Sequence, residues 1–265
     1  MSPAPLHVTS PANAQFQALR RLVAGKARGQ AWLEGEHLCQ AALDAGWQPQ
    51  AAVFAASYWE GTGQRAPASL AQRLAARSAR CLVLADALMR RTSTLPSPAP
   101  LACVLALPRP AALDAHAPSV VLDRVQDAGN AGSILRSAAA FGFTQVLALA
   151  GSAQLWSPKV LRAGMGAHFS LHLHEGLTPD DVAPLAVPLL AASAHQGQWL
   201  HRARLPWPCA WVIGNEGQGI SAALAQRAAQ HVRIIQPGGQ ESLNAAAAAA
   251  VCLHASAAAQ AAADA

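Results

Sequence analysis

At 265 residues the chain has room for two ordinary domains, each with its own core. Its 52% apolar content excludes a disordered or low-complexity protein, and because much of that share is alanine, helices are expected in quantity. A formal charge of +5, carried mostly by Arg, suits a polyanionic partner but does not require one, since a GC-rich genome inflates Arg and Ala in the same way.

Residues 13–28 read as a helix, with Phe16, Leu19, Leu22 and Val23 on one apolar stripe and Arg20, Arg21, Lys26 and Arg28 mostly off it. That basic face is either solvated or turned to a polyanion. A short strand at Gln30–Leu33 follows, and Glu34-Gly35-Glu36 opens a helix that runs to Ala45 and stops at Gly46. Ala51–Ala55 reads as a strand, Ser69–Arg77 as a helix and Cys81–Leu84 as a strand. Asp86 is expected to cap a short helix ending in Arg90 and Arg91, before a last strand at Leu101–Leu107. Alternating elements of this length predict an αβα sandwich over residues 1–107.

Residues 108–118 are rich in Pro and Ala, show no apolar period and read as a linker. From 119 to 265 strands alternate with helices, which predicts a parallel sheet with crossover helices. The expected strands are 119–125, 145–149, 168–174, 189–194, 209–214 and 231–236. Pro158 is well placed for the first turn of a helix.

Five scattered cysteines, Cys39, Cys81, Cys103, Cys209 and Cys252, contain no CxxC pair, so reduced thiols in a cytoplasmic protein are expected. His172 and His174 alternate along an expected strand with no Cys nearby, and read as a surface pair in preference to a metal site. The N-terminus lacks the apolar core of a signal peptide. The Ala-rich C-terminus could span a bilayer by length, but His254 and Gln260 interrupt it, and no membrane segment is expected.

Three strand-to-helix junctions share one build. Val120-Val121-Leu122-Asp123 leads into Asn130-Ala131-Gly132-Ser133-Ile134-Leu135-Arg136-Ser137-Ala138. Ala210-Trp211-Val212-Ile213 leads into Gly214-Asn215-Glu216-Gly217-Gln218-Gly219-Ile220-Ser221. The third runs from Ile234 through Gln236, Pro237, Gly238 and Gly239 to Ser242, Leu243 and Asn244, then opens into an Ala run, with Ser242 where an N-cap belongs. Each places polar side chains and uncommitted backbone N–H groups on a loop held by a rigid strand and helix, a common place for a ligand. The glycines at 214–219 do not fit G-x-G-x-x-G and no Walker-type Gly-Lys-Ser/Thr occurs, which argues against dinucleotide and triphosphate chemistry.

In this order and at these spacings the three blocks resemble the three motifs of the SpoU (TrmH-type) RNA ribose 2'-O-methyltransferases of the SPOUT superfamily. Ser157–Ala163 and Gly166–Phe169 also match a recurrent segment of that family. Leu-Glu-Gly-Glu-His at 33–37, after a basic helix, resembles the ribosomal-protein-like RNA-binding domain that precedes many of its catalytic domains. Departures are small: Ala128 stands where Pro is common, Gln236-Pro237-Gly238 where Ile-Pro-Met is usual, and Ala follows Asn244 where Val-Ser is frequent.

The resemblance implies an α/β chain whose C-terminal parallel-sheet αβα domain carries a deep trefoil knot, behind a small αβα RNA-binding domain. It implies S-adenosylmethionine as cofactor, no metal, and RNA as partner, with ribosomal RNA ranked above tRNA, in a homodimer. By motif, Gly214, Glu216, Ile234, Gln236, Pro237, Ser242 and Leu243 would surround the cofactor. Asn130, Arg136, Glu216, Ser242 and Asn244 would form the active site, with Arg136 as anchor for a phosphate. Each also has a local reading: Asn130 holding a turn, Ser242 only capping, Glu216 pairing with a lysine or a helix end, Arg136 a surface charge five residues into a helix. Another class remains open, a non-catalytic RNA-binding protein that keeps the fold.

Overall fold

The computed structural model describes residues 4–63, 69–107, 109, 111–193, 196–238 and 242–263. They form two compact units that divide at Arg109, the stretch Trp156–Leu161 being grouped with the first.

The N-terminal unit contains β1 (Leu6–Val8), α1 (Ala14–Val23), β2 (Gln30–Glu34), α2 (Glu36–Asp44), β3 (Ala51–Ala55), α3 (Ala56–Tyr58), α4 (Leu70–Arg77), β4 (Cys81–Leu84), α5 (Asp86–Thr92) and β5 (Leu101–Ala106). Its strands form one sheet in the order β1-β4-β3-β5-β2. β1, β4 and β3 run parallel, while β5 is antiparallel to both β3 and β2. Phe16, Leu19 and Leu22 of α1 join Leu88 and Met89 of α5 over Trp32, Val53, Leu82 and Leu84 on one face. α2 and α4 pack together and against the strands, which completes the expected αβα sandwich.

Several boundaries differ from expectation for local reasons. Helix α1 ends at Val23 and does not reach Arg28, because Gly25 takes φ +70° and turns the chain away. Asp86 is the first helical residue of α5 and its carboxylate accepts hydrogen bonds from Ser57 N and Oγ at 3.1 Å, so it ties α5 to α3 and does not cap. Glu34 is buried, and its carboxylate accepts from the Ser93 hydroxyl and from Thr94 N and Oγ1 at 3.0 and 3.1 Å. Strand β1, too short to show a period, was not anticipated.

The C-terminal part of the chain contains β6 (Ser119–Asp123), α6 (Ala128–Ala140), β7 (Gln145–Leu149), α7 (Pro158–Gly164, grouped with the first unit as far as Leu161), β8 (His172–Leu177), β9 (Leu189–Ala192), β10 (Gln198–Trp199), β11 (Ala210–Gly214), α8 (Ala222–Arg227), β12 (Gln230–Arg233) and α9 (Ala245–Ala263). The seven strands lie in the order β10-β12-β9-β11-β6-β7-β8, and every pairing is parallel. Residues 111–118, expected as linker, carry no helix or strand, and Leu113 packs on this unit's core. Alternation along β11 divides the core: Ala210 and Val212 face Val121, Leu147 and Leu224, while Trp211 between them donates from Nε1 to Ser256 Oγ of α9 at 2.9 Å. Helix α9 meets the length and hydropathy of a membrane span, and it packs Ala249, Cys252, Leu253 and Ser256 into the unit.

Two expected strands shift most. The strand placed at 168–174 starts only at His172, because Gly166 at φ +90° turns the chain into a 3-10 turn, Ala167–Phe169. That turn buries His168, whose ring comes so near Gly164 that a Cβ there would lie 2.6 Å from Cε1. His172 is exposed but His174 is buried, so the two do not form a surface pair. The last strand ends at Arg233, three residues early, leaving Ile234–Gly238 as loop.

Chain order in the sheet reverses between β6 and β11. From β6 the chain moves outward to β7 and β8, and its later strands fill the other side. At such a switch point the loops that follow the two strands leave the sheet at its C-terminal edge, the usual place for a ligand. Those ends carry Asp123 and Gly214, which pair in register.

Candidate active site

At the same sheet edge, on the β9 and β12 side of the loop after β11, lies a cavity of about 830 Å³, within the usual range for a small-molecule or cofactor site. Its wall comes from the ends of β9, β11 and β12, the loop at 214–220, and residues 242–248 leading into α9. Gly214 permits the close fold of that loop, since a Cβ there would lie 2.4 Å from the Gly219 carbonyl carbon. Asn215 and Gly219 exchange backbone hydrogen bonds of 3.0 and 2.9 Å, and Asn215 Oδ1 accepts from Gly217 N and Gln218 N. The result is a tight turn that holds Glu216 near its tip.

Six of the seven residues assigned to the cofactor line this cavity: Gly214, Glu216, Ile234, Gln236, Ser242 and Leu243. Pro237 is exposed and does not line it. The third block contributes Ile234 and Gln236 from the irregular backbone that follows the early end of β12.

Of the residues assigned to chemistry, three are joined by hydrogen bonds. Asn244 Nδ2 donates to Asn130 Oδ1 at 2.9 Å, and Asn130 Nδ2 donates to Glu216 Oε1 at 3.0 Å. Helix capping sets the direction of this chain. Asn244 Oδ1 accepts from Ala246 N and Ala247 N at 2.9 and 3.2 Å, which leaves its Nδ2 to face Asn130. Asn244 therefore caps α9, in place of the expected Ser242, which lines the cavity two residues earlier.

Asn130 lies in the first turn of α6 and not in a loop. The cap is Asp127, whose Oδ1 accepts from Asn130 N at 2.7 Å. The Glu216 carboxylate rests at the same helix end. Burial pushes its pKa up, but the hydrogen bonds from Asn130 and from backbone N–H groups of Glu216, Asp127 and Gln126 outweigh that and hold it below the usual carboxylate value. Arg136 is the ninth residue of α6, not the fifth, because the helix begins at Ala128. That places it about 9 Å along the axis from Asn130 and about a third of a turn round. It is exposed and outside the cavity wall.

Sequence reasoning passed over Asn215, Ser193, Gln196 and His231, all of which line the cavity. Asn215 stood in the quoted motif, and its Asx-type turn before Gly was a usable signal. Ser193 follows an apolar strand, as the chosen residues do. His231 has no such mark; its Nε2 lies 3.0 Å from Ala225 O and its Nδ1 3.3 Å from Gln196 Nε2.

The cavity suits S-adenosylmethionine on three counts. Ile213, Ile220, Ile234 and Leu243 offer apolar walls for an adenine. Among the described residues lining it, Glu216 is the acidic one, and its carboxylate would favour a cationic sulfonium. Gln236 Oε1 is buried without a hydrogen-bond partner among the described residues, an acceptor that a ligand would satisfy.

The model of the SpoU rRNA Methylase family matches residues 117–254. The chain belongs to that family. It is 32% identical over 261 residues to an uncharacterized tRNA/rRNA methyltransferase of Synechocystis, covering 93% of this chain and 92% of the relative. It is 28% identical over 177 residues to the 23S rRNA (guanosine(2553)-2'-O)-methyltransferase RlmP of Bacillus subtilis, covering 66% and 71%. The AdoMet-bound rRNA methyltransferase of Sinorhizobium meliloti superposes with a TM-score of 0.81 at 25% identity, over 95% of this chain and 97% of that one. The SpoU match covers all three junctions, so the hydrogen-bonded chain from Glu216 to Asn244 and the cavity beside it lie wholly within the family's own region.

Proposed function

We propose that this SpoU protein transfers a methyl group from S-adenosylmethionine to a ribose 2'-hydroxyl of structured RNA, with ribosomal RNA ranked above tRNA. The observation that carries the proposal is the three-residue chain Glu216–Asn130–Asn244 closing one side of a cofactor-sized cavity. Family membership supports the cofactor and the reaction, and the names of the Bacillus and Sinorhizobium relatives support ribosomal RNA.

When bound, S-adenosylmethionine supplies a methyl group already activated on a sulfonium. The protein must then align a hydroxyl and favour its ionisation. Gly214, Ile234, Gln236, Ser242 and Leu243 would hold the cofactor. Asn130 and Asn244, their amides fixed by the α9 cap, would orient the reacting groups, with Glu216 anionic beside them. Arg136 would bind the phosphate next to the target ribose through its planar fork and stabilise the developing alkoxide. The proton would leave to a phosphate oxygen or to water.

Three further assignments belong to this reading. The knot of the family is one: the segment after β12 lines the same cavity as the 214–220 loop, and α9 then packs on α6 and β11, a path that a threaded C-terminus would take. A homodimer is the second. Ile235, Leu243 and Val251 are large exposed apolar residues, and Arg136 stands outside its own chain's cavity, available to a partner's site. Sedimentation at micromolar concentration is expected to give a dimer; a fully active monomer would remove this assignment. The third makes residues 1–107 the RNA-selecting unit, supported by exposed Arg20, Arg21, Lys26, Arg28, Arg90 and Arg91.

The test of the reaction is labelled-methyl transfer from S-adenosylmethionine to ribosomal RNA by the purified protein. Label is expected in a dinucleotide that resists alkaline hydrolysis, the signature of a blocked 2'-hydroxyl. Cofactor binding without transfer to any RNA would favour the non-catalytic alternative.

A further inference from the structure

Two consecutive residues at the end of β6, Asp123 and Arg124, hold the 214–221 loop along its length. Asp123 is buried; one of its carboxylate oxygens accepts from Ser221 N at 2.5 Å and the other from Arg124 Nε at 2.9 Å. Arg124 Nη1 donates to Gln218 Oε1 at 2.7 Å and Nη2 to Gly219 O at 3.4 Å. Its backbone carbonyl accepts from Asn215 Nδ2 at 2.9 Å. The loop is thus gripped at its start, its turn and its end.

The backbone of Arg124 is strained to do this. Its φ is +60°, a left-handed value that a residue with a side chain rarely adopts without compensation. Gly151 makes room for the stem of the side chain, since a Cβ there would lie 3.4 Å from Arg124 Cγ. In this conformation one residue offers its carbonyl to Asn215 while all three guanidinium nitrogens reach separate acceptors, which the single ammonium of Lys cannot reproduce.

We infer that Arg124 is a positioning residue for the cofactor: it sets the shape of the 215–219 turn against the cavity and so governs affinity for S-adenosylmethionine without touching the reacting atoms. This rests on the proposed reading of the cavity. The turn lines the cavity from Asn215 to Ile220, and the guanidinium lies behind it. Loss of the bonds to Gln218 and Gly219 frees the turn while leaving the Glu216–Asn130 contact available, so binding should suffer more than the chemical step.

The experiment compares wild type with Arg124→Lys, Arg124→Gly and Gln218→Ala. Arg124→Gly relieves the backbone strain and keeps the carbonyl contact while removing the guanidinium. Gln218→Ala leaves the Asp123–Arg124 pair intact and guards against a variant that simply fails to fold. The S-adenosylmethionine Kd, by calorimetry, is expected to rise about tenfold in each Arg124 variant, as for one or two neutral-acceptor hydrogen bonds to a charged donor. Gln218→Ala should raise it less, and combining it with Arg124→Lys should add little to the Lys effect. At saturating cofactor kcat should stay within about threefold, while KM for the cofactor follows Kd. Unchanged Kd in the folded variants, or a fall in kcat with KM unaltered, overturns the inference alone. A wild-type protein that binds no S-adenosylmethionine overturns the cavity reading and this inference with it.

Discussion

At the scale of single residues, position on α6 separates two roles. Asn130 sits in the first turn, where its amide joins Glu216 to Asn244. Arg136 lies further along, exposed and away from the cavity. A guanidinium is not deprotonated in proteins, so Arg136 is assigned electrostatic positioning in preference to proton abstraction. Under this account Arg136→Lys keeps the charge, loses the fork and retains a small residual rate. Arg136→Ala falls further, by about tenfold or more relative to Lys, the scale of a charge-assisted hydrogen bond. Cofactor Kd should change less than about twofold in both. Single-turnover methyl transfer measures these rates, and a Lys variant as inactive as Ala, with both ligands bound normally, would contradict the assignment. Motif spacing brought Asn130, Glu216 and Asn244 forward as a group. It could not show their bonding order, which depends on Asn244 being the cap of α9, a three-dimensional fact that a Ser two residues earlier concealed.

Among the elements, the strands read from apolar runs were nearly all present, because a strand buried on both faces leaves a plain apolar block in the sequence. The misplaced one at 168–174 failed where a buried polar residue entered the pattern. His168 looked like a strand residue but packs in a 3-10 turn, with Nε2 2.8 Å from Leu155 O. Burial lowers its pKa to about 4 from 6.5, against the opposing effect of the Leu155 carbonyl. The unfolded chain thus takes up this proton near pH 6.5, while the folded one resists until about pH 4. Stability from this group is complete above pH 6.5 and falls as pH drops through that window, by at most ~3 kcal/mol. Urea unfolding at pH 7 and at pH 4.5 should show that loss, and His168→Gln should flatten the dependence between the two. An identical slope in the variant would mean another group is responsible. Residues 234–238 show the opposite error: β-branched Ile234 and Ile235 read as strand, yet the segment leaves the sheet and forms cavity wall. Propensity describes a fit to a pleated surface, and here no neighbouring strand continues beyond Arg233 to supply one.

At the scale of the whole molecule, two α/β units have different sheet grammar. The N-terminal sheet is mixed and the C-terminal one parallel throughout. Alternation of elements predicted both sandwiches, but strand order was not legible, since it depends on which edges the crossovers reach. The order reversal between β6 and β11 is what brings the first two motif loops together, and it became visible only in the sheet. The division of labour proposed for the units predicts that the chain without residues 1–107 keeps the cofactor Kd of the full chain. RNA affinity and its salt dependence should both drop, because cations on the N-terminal unit release counterions on binding. A truncated protein that modifies its native site at the full rate would remove the RNA-selecting role.

The most direct test of the central claim is a map of ribose 2'-O-methylation across all cellular RNA in a strain lacking this protein. The account predicts that a ribosomal RNA nucleotide loses its 2'-O-methyl group, that wild type restores it, and that Arg136→Ala does not. A map unchanged at every position, or a lost methyl group that proves to sit on a base, would contradict it.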